Sequence, residues 1–102
     1  MTLIKVATVD KIEEGGMIAV DANGNSIMLA KVGGKIHAIE NMCSHAGGSL
    51  NEGYIDGNEA VCPLHAARYD IATGKVAPDT MWGKGQKPFT VKIEGKDVLV
   101  EV

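Results

Sequence analysis

The sequence predicts an all-β fold, a small antiparallel sandwich or barrel. Short apolar runs, separated by turn residues, follow one another through residues 1–40. The Asn23-Gly24 pair is a strong signal for a two-residue β-hairpin turn. The closing residues of the chain alternate apolar and polar side chains, as half-buried strands do. Short strands at this spacing are typical of a sandwich or barrel, and no segment favours a helix of more than one turn.

The strands predicted in the first forty residues are joined by tight turns. The flexible stretch Glu14-Gly15-Gly16 comes before the second strand. Asn23-Gly24 joins the second strand to the third, and Gly33-Gly34 joins the third to the fourth. His37 lies in the fourth strand without a partner at ligand spacing, and we interpret it as a structural residue. The predicted strands are residues 3–6, 17–20, 26–32 and 35–39.

A further hairpin is predicted at the end of the chain. Residues 89–94 and 97–102 alternate well and flank a turn at Gly95-Lys96. We expect this hairpin to return to the first sheet. In the intervening region, residues 70–75 predict another hairpin turn. We interpret the charged residues Arg68, Lys75 and Lys84 as solvated surface groups.

The composition limits the classes of function. The chain has 102 residues, the size of one small domain, with 45% hydrophobic residues and a formal net charge of −3. Charges of both signs are mixed and form no basic stripe, so we expect no binding to nucleic acid. No window reaches the roughly eighteen apolar residues of a membrane span, and the first residues do not have the pattern of a cleaved signal. We therefore expect a soluble protein without a membrane span.

Two short loops concentrate the soft metal donors of the chain. Both cysteines and two of the three histidines lie in the patterns Cys43-x-His45 and Cys62-x-x-His65. Two sulfur and two nitrogen donors make a four-ligand set, which predicts a metal site. Cysteines that serve as ligands fit a reducing compartment better than disulfide-bonded ones do. The expected location is therefore the cytoplasm.

The order of the donors favours iron over zinc. Zinc fingers usually place a cysteine pair before a histidine pair, whereas each loop here has one cysteine followed by one histidine. This order suits two neighbouring irons, one bound by both sulfurs and the other by both imidazoles. Replacing two thiolates by neutral imidazoles changes the formal charge of an oxidised two-iron two-sulfur cluster from about −2 to about 0, which favours reduction. A structural zinc site is the alternative.

With a sixteen-residue spacer between the two pairs, and with Tyr69-Asp70 and Thr73-Gly74 after them, the pattern resembles the Rieske iron-sulfur proteins. Residues 49–57 are similar to the loop between the ligand pairs in soluble Rieske ferredoxins of oxygenase systems. The resemblance is strong in the middle third of the chain and rests on pattern alone in the flanks. It implies a single Rieske domain over residues 1–102, with a base formed by residues 1–40 and 85–102. The cluster-binding part would be an insertion of about residues 41–84.

The resemblance also implies the roles of individual residues. One Rieske two-iron two-sulfur cluster per chain would have Cys43 and Cys62 on the inner iron and His45 and His65 on the outer iron. Tyr69 would donate its hydroxyl to a cysteine sulfur, with a core aromatic as the alternative. Pro78 would belong to a loop that lies over the cluster. By its position after the first ligand pair, Gly47 is a candidate for bringing its backbone N–H close to a cluster sulfur, with an ordinary turn glycine as the alternative. Ala46 is a further candidate beside the cluster.

Three positions depart from the Rieske proteins of cytochrome bc-type complexes. Those proteins have an additional disulfide between the two loops, at the positions of Gly48 and Leu64. They also have a serine at the position of Ala67, and its hydroxyl donates to a cluster sulfur. The departures predict a reduction potential in the lower or middle part of the Rieske range of about −150 to +300 mV.

The predicted function follows from the cluster, because no nucleophile with an adjacent base, phosphate loop or second metal set is visible. We expect a one-electron carrier, not an enzyme, that shuttles electrons from a flavin-containing reductase to an acceptor such as a terminal oxygenase. We expect the carrier to be a monomer. The alternatives are a cluster-bearing relay or accessory subunit of a larger reductase complex, and a zinc-bound interaction module.

Overall fold

The computed structural model describes residues 2–42, 49–63, 68–76 and 86–102. Within these ranges the regular structure consists of β-strands and two short 3-10 turns, Val9–Lys11 and Leu50–Glu52. No helix in the same ranges has the length and apolar character that crossing a membrane requires. The strands are β1 (Leu3–Thr8), β2 (Met17–Ala22), β3 (Asn25–Val32), β4 (Lys35–Glu40), β5 (Tyr54–Asp56), β6 (Glu59–Val61), β7 (Arg68–Asp70), β8 (Pro88–Phe89), β9 (Val91–Glu94) and β10 (Asp97–Glu101).

The described strands form antiparallel sheets, which confirms the predicted all-β class. The outer sheet has the order β1-β10-β9, and the central sheet has the order β2-β3-β4-β8. The small sheet has the order β5-β6-β7 and lies in the middle of the sequence. The outer sheet pairs the first strand with the last, since Ile4 lies opposite Val100.

The two hairpins predicted in the first forty residues are present. Asn23 and Gly24 have φ angles of 54° and 83°, the left-handed values that a type I′ turn requires, and Ala22 pairs with Asn25 across them. Val32 pairs with Lys35 across the second turn. Strands β2 and β3 continue closer to the turn than predicted, because the alternation of apolar and polar residues ends before the backbone pairing of the two strands does.

The closing strands differ from the prediction in one respect. Residues 89–94 do not form a single strand, because β8 and β9 belong to different sheets. Pro88 and Phe89 pair with Ile39 and Ala38 of the central sheet, whereas β9 pairs with β10 in the outer sheet. A proline lacks the N–H that an interior strand needs, which agrees with its place on a two-residue strand at the edge of the central sheet.

Strand β3 has core residues on both faces. Residues 27–30 are all buried, and successive side chains point to opposite faces of the sheet. Two hydrophobic clusters result, which we name by their side of the central sheet. The outer-side cluster contains Ile12, Ala22, Ile27, Leu29, Ala38, Val98 and Val100. The site-side cluster contains Met28, Ala30, Ile39, Leu50, Ala60, Cys62, Tyr69 and Ile71.

Candidate metal centre

The described residues include two of the eight residues that the sequence predicts for the site. Cys62 and Tyr69 are described. Six others lie outside the described residues: Cys43, His45, Ala46, Gly47, His65 and Pro78. Within the part of the chain that the structure describes, no three side chains of His, Cys, Asp or Glu come together as a metal site. The ligand set therefore stays a prediction.

Cys62 follows directly after β6, whose last residues are buried. Its side chain is 1% exposed and belongs to the site-side cluster. A cysteine binds iron as the thiolate. The exposure of an iron-sulfur centre to solvent is one of the factors that set its reduction potential. The burial of Cys62 fits a cluster ligand at the edge of the core.

Tyr69 is the middle residue of β7 and belongs to the same cluster as Cys62. It pairs with Ala60 of β6 and makes a bridge with Val76, and it is fully buried. A buried tyrosine hydroxyl needs a hydrogen-bond partner. Among the described residues, every buried side-chain nitrogen and oxygen atom has one. Tyr69 is thus a core aromatic with a hydrogen-bonded hydroxyl, and its donation to a cysteine sulfur stays a prediction.

The segment that contains the first ligand pair begins and ends at paired residues. Met42 and Ser49 form an antiparallel bridge, so the chain leaves and returns at adjacent positions. The Leu50 N–H donates to the Asn41 carbonyl at 2.7 Å, and the Asn51 N–H donates to Asn41 Oδ1 at 3.0 Å. Asn41 is buried, and nothing in its sequence context marks it as a residue of the site.

Arg68 fixes the strand that follows the second ligand pair. Its Nε donates to Glu59 Oε1 at 2.9 Å, and its Nη2 donates to Asp56 Oδ2, so the guanidinium joins all three strands of the small sheet. The hydrogen bonds to Asp56 and then to Glu59 raise the pKa of the Arg68 guanidinium above its ordinary value. Arg68 differs from the predicted solvated surface charge in being paired twice, and its side chain is 25% exposed.

Gly53 allows the small sheet to approach the second ligand loop. A Cβ atom on Gly53 would lie 1.8 Å from the Val61 carbonyl oxygen and 3.2 Å from Cδ of Pro63. Val61 and Pro63 flank Cys62 in the sequence. The absence of a side chain at residue 53 therefore decides how closely the chain packs beside a predicted ligand.

The predicted turn at residues 70–75 is present. The Asp70 side chain accepts hydrogen bonds from the N–H groups of Ala72 and Thr73, at 2.9 and 3.0 Å. The Gly74 N–H donates to the Asp70 carbonyl at 2.7 Å, and Gly74 has a φ of 77°. An Asp side chain that binds the N–H groups after it is a common way to start a turn.

Comparison with known proteins gives one family. The family model described as the Rieske [2Fe-2S] domain matches residues 2–82. A curated relative is the ferredoxin component of the naphthalene 1,2-dioxygenase/salicylate 5-hydroxylase systems of a Ralstonia species. It is 39% identical over 99 residues, and the alignment covers 97% of this chain and 94% of the relative.

Solved structures give the same picture. The ferredoxin of carbazole 1,9a-dioxygenase from Nocardioides aromaticivorans IC177 aligns with a TM-score of 0.89 and 33% identity, over 98% of this chain and 97% of that one. A second match is a chain from the complex of reduced oxygenase and oxidised ferredoxin in carbazole 1,9a-dioxygenase, with a TM-score of 0.87 and 27% identity. This second alignment covers 96% of this chain and 91% of that one.

Proposed function

The chain belongs to the Rieske [2Fe-2S] domain family, and we propose that it is a soluble ferredoxin that delivers single electrons to a terminal oxygenase. Its cofactor is one Rieske two-iron two-sulfur cluster. The relatives that it matches over nearly their whole length are ferredoxin components, which carry electrons and do not catalyse the oxygenation themselves. That full-length match, together with the shared fold, carries the proposal.

The proposed ligands are the thiolates of Cys43 and Cys62 and the imidazoles of His45 and His65. When bound by this set, the cluster supplies a one-electron couple at a potential higher than that of an all-cysteine cluster. The assignment is supported by the burial of Cys62 and by its packing with Tyr69 in the hydrophobic site-side cluster. The bridge between Met42 and Ser49 gives the first ligand pair a fixed base.

Around the ligands we propose supporting roles for four residues. Tyr69 would donate its hydroxyl to the sulfur of Cys43 and stabilise the reduced state, because a donor to sulfur favours the extra negative charge. Ala46, Gly47 and Pro78 would line the cluster. We further propose one domain over residues 1–102, with a base of residues 1–40 and 85–102 and a cluster-binding part of about residues 41–84.

The proposed partners are a flavin-containing reductase as donor and a terminal oxygenase as acceptor. The oxygenase is supported by the structural match to a ferredoxin that was captured in complex with an oxygenase. A reductase is required by the chemistry, because a carrier that gives up one electron must be reduced again. We propose that the protein works in the cytoplasm as a monomer that associates only transiently with its partners.

Electron transfer in solution tests the proposal. Protein reduced with dithionite without oxygen is mixed with the oxidised terminal oxygenase of the related naphthalene 1,2-dioxygenase system. We expect transfer of one electron per chain. When the flavin-containing reductase with its electron donor, the aromatic substrate and oxygen are then added, we expect turnover that rises with carrier concentration well beyond one carrier per oxygenase. A turnover rate that saturates at one carrier per oxygenase, together with a complex that survives gel filtration, would favour a relay subunit. Protein that contains zinc and takes up no electron would favour the interaction module.

A further inference from the structure

Gln86 is a buried polar residue next to the candidate site. It does not belong to the predicted ligand set. It is 4% exposed and lies two residues before β8. Among the described residues, Asn41 is the one other buried polar or charged side chain. Burial of an amide costs free energy unless its donors and acceptors are satisfied, so the contacts of Gln86 indicate what it holds in place.

The side-chain amide of Gln86 binds the strand that leads to the first ligand pair. Nε2 donates to the Glu40 carbonyl at 3.0 Å and also to the Met42 carbonyl. A glutamine amide has two N–H donors, and these two carbonyls use both. Glu40 ends β4, and Met42 is the residue immediately before Cys43. The amide thus ties the last residues before Cys43 to a point 44 residues later in the chain.

The backbone of Gln86 binds the hairpin that follows the second ligand pair. Its N–H donates to the Gly74 carbonyl at 2.6 Å. A Cβ atom on Gly74 would lie 1.9 Å from the Gln86 carbonyl oxygen, so the two backbones are packed as closely as glycine permits. Gly74 belongs to the turn after β7, the strand that begins three residues beyond His65.

A second connection keeps Gln86 in register with β4. The Glu40 N–H donates to the Lys87 carbonyl at 2.8 Å, and the Lys87 N–H donates to Glu40 Oε1 at 3.0 Å. These bonds fix the backbone on one side of Gln86, while the bond to Gly74 fixes it on the other. The side chain therefore reaches Met42 from a backbone that has little freedom to move.

We propose that Gln86 is a positioning residue that holds the approach to the first ligand pair against the hairpin that follows the second. The inference rests on the proposed function, because it assumes that both pairs bind one cluster. Four ligands from two loops must meet the metals at the same time, and contacts outside the ligand set hold such ligands in place. Gln86 joins Met42, the residue before Cys43, to Gly74 in the turn after β7, nine residues beyond His65.

Two substitutions at residue 86 test the proposal in the cluster-loaded protein. Gln86→Met keeps most of the volume but removes both donors, and Gln86→Glu keeps the shape but places an acceptor against two carbonyls. We expect both variants to lose the cluster to a chelator about 10- to 100-fold faster than the wild type, matching the loss of metal affinity that typically follows removal of a contact supporting a metal ligand. We also expect the g-values of the reduced cluster to shift in electron paramagnetic resonance, which a general loss of stability would not produce.

Asn25→Ala is the control for the loss of a side-chain amide hydrogen bond away from the candidate site. The Asn25 side chain also donates an amide N–H to a backbone carbonyl, that of Ala22 at 3.2 Å, but it lies in the turn between β2 and β3. The control should keep the wild-type g-values and release rate. Wild-type values in both Gln86 variants would overturn the positioning role and leave the proposed function intact. A wild-type protein without a Rieske signal would overturn both.

A second measurement covers the case in which the Gln86 variants do not fold. Hydrogen exchange of the wild-type protein is compared before and after chelation of the cluster. We expect the peptide that contains the Gln86 amide to exchange at least tenfold faster after chelation, while the peptide around Val100, which lies in the outer-side cluster, stays protected. Equal exchange of the Gln86 peptide in both forms would overturn the proposal.

Discussion

At the scale of single residues, the candidate site combines strong sequence signals with contacts that the sequence does not reveal. The four predicted ligands can be recognised because cysteine and histidine are rare in this chain and are grouped at short spacings. Asn41, Arg68 and Gln86 cannot be recognised in the same way. Each is an ordinary polar residue whose role depends on partners 9 to 46 residues away, and those partners are brought near only by the fold.

Tyr69→Phe tests the proposed hydrogen bond to a cluster sulfur. If the hydrogen bond stabilises the reduced state by about 1 kcal/mol more than the oxidised state, it raises the reduction potential by about 40 mV. The conversion uses about 59 mV for each tenfold change in a one-electron equilibrium. We expect the substitution to lower the reduction potential by about this amount. A redox titration monitored by circular dichroism measures the reduction potential.

Tyr54→Phe is the control for Tyr69. Tyr54 is the other tyrosine of the chain, and it is 59% exposed on β5. Its substitution should leave the potential unchanged. Equal potentials for wild type, Tyr69→Phe and Tyr54→Phe would assign Tyr69 to the core alone.

At the scale of the elements, the sequence predicts the large sheets well and the small one poorly. Glycine and asparagine in the turn at residues 23–24 and the glycines at 33–34 define two hairpins without tertiary information. β5, β6 and β7 have three residues each, too few for an alternating pattern to be recognised. Their pairing depends instead on packing against the central sheet, with Ala60 and Tyr69 in the site-side cluster.

Gly53→Ala tests the close packing beside Cys62. The added methyl group would overlap the Val61 carbonyl oxygen, and neither backbone can move without disturbing the small sheet. We expect the free energy of unfolding to fall by about 3 kcal/mol, at the upper end for an added methylene, with a lower yield of cluster-loaded protein. Urea denaturation and iron content measure the two effects.

Gly57→Ala serves as the comparison in the same sheet. Gly57 has a φ of 64°, but a Cβ atom there would meet nothing within 4 Å. Only backbone strain remains, which costs about 1 kcal/mol. If Gly53→Ala were no worse than Gly57→Ala, the packing beside Cys62 would not depend on glycine.

At the scale of the whole molecule, the central sheet separates the core that supports the candidate site from the core that holds the termini. Met28 and Leu29 are consecutive, fully buried residues of β3 that belong to the site-side and outer-side clusters respectively. Truncation of either to alanine should cost about 2–5 kcal/mol. The two variants should nevertheless differ in what happens to the cluster.

The pair Met28→Ala and Leu29→Ala tests this separation. We expect Met28→Ala to accelerate cluster release more than Leu29→Ala does, because the cavity that it leaves adjoins the residues that pack with Cys62. Urea denaturation and the rate of cluster release to a chelator are measured on both. Equal release rates at equal stability would show that the two cores are coupled through the central sheet.

The central claim is that this chain holds one two-iron two-sulfur cluster with two cysteine and two histidine ligands. The most direct test is low-temperature electron paramagnetic resonance of the dithionite-reduced protein, with iron, zinc and acid-labile sulfide quantified in the same sample. We expect a rhombic signal with the lowered average g-value of mixed histidine and cysteine ligation, with about two irons and two sulfides per chain. A sample without a signal that contains one zinc and no sulfide would contradict the claim.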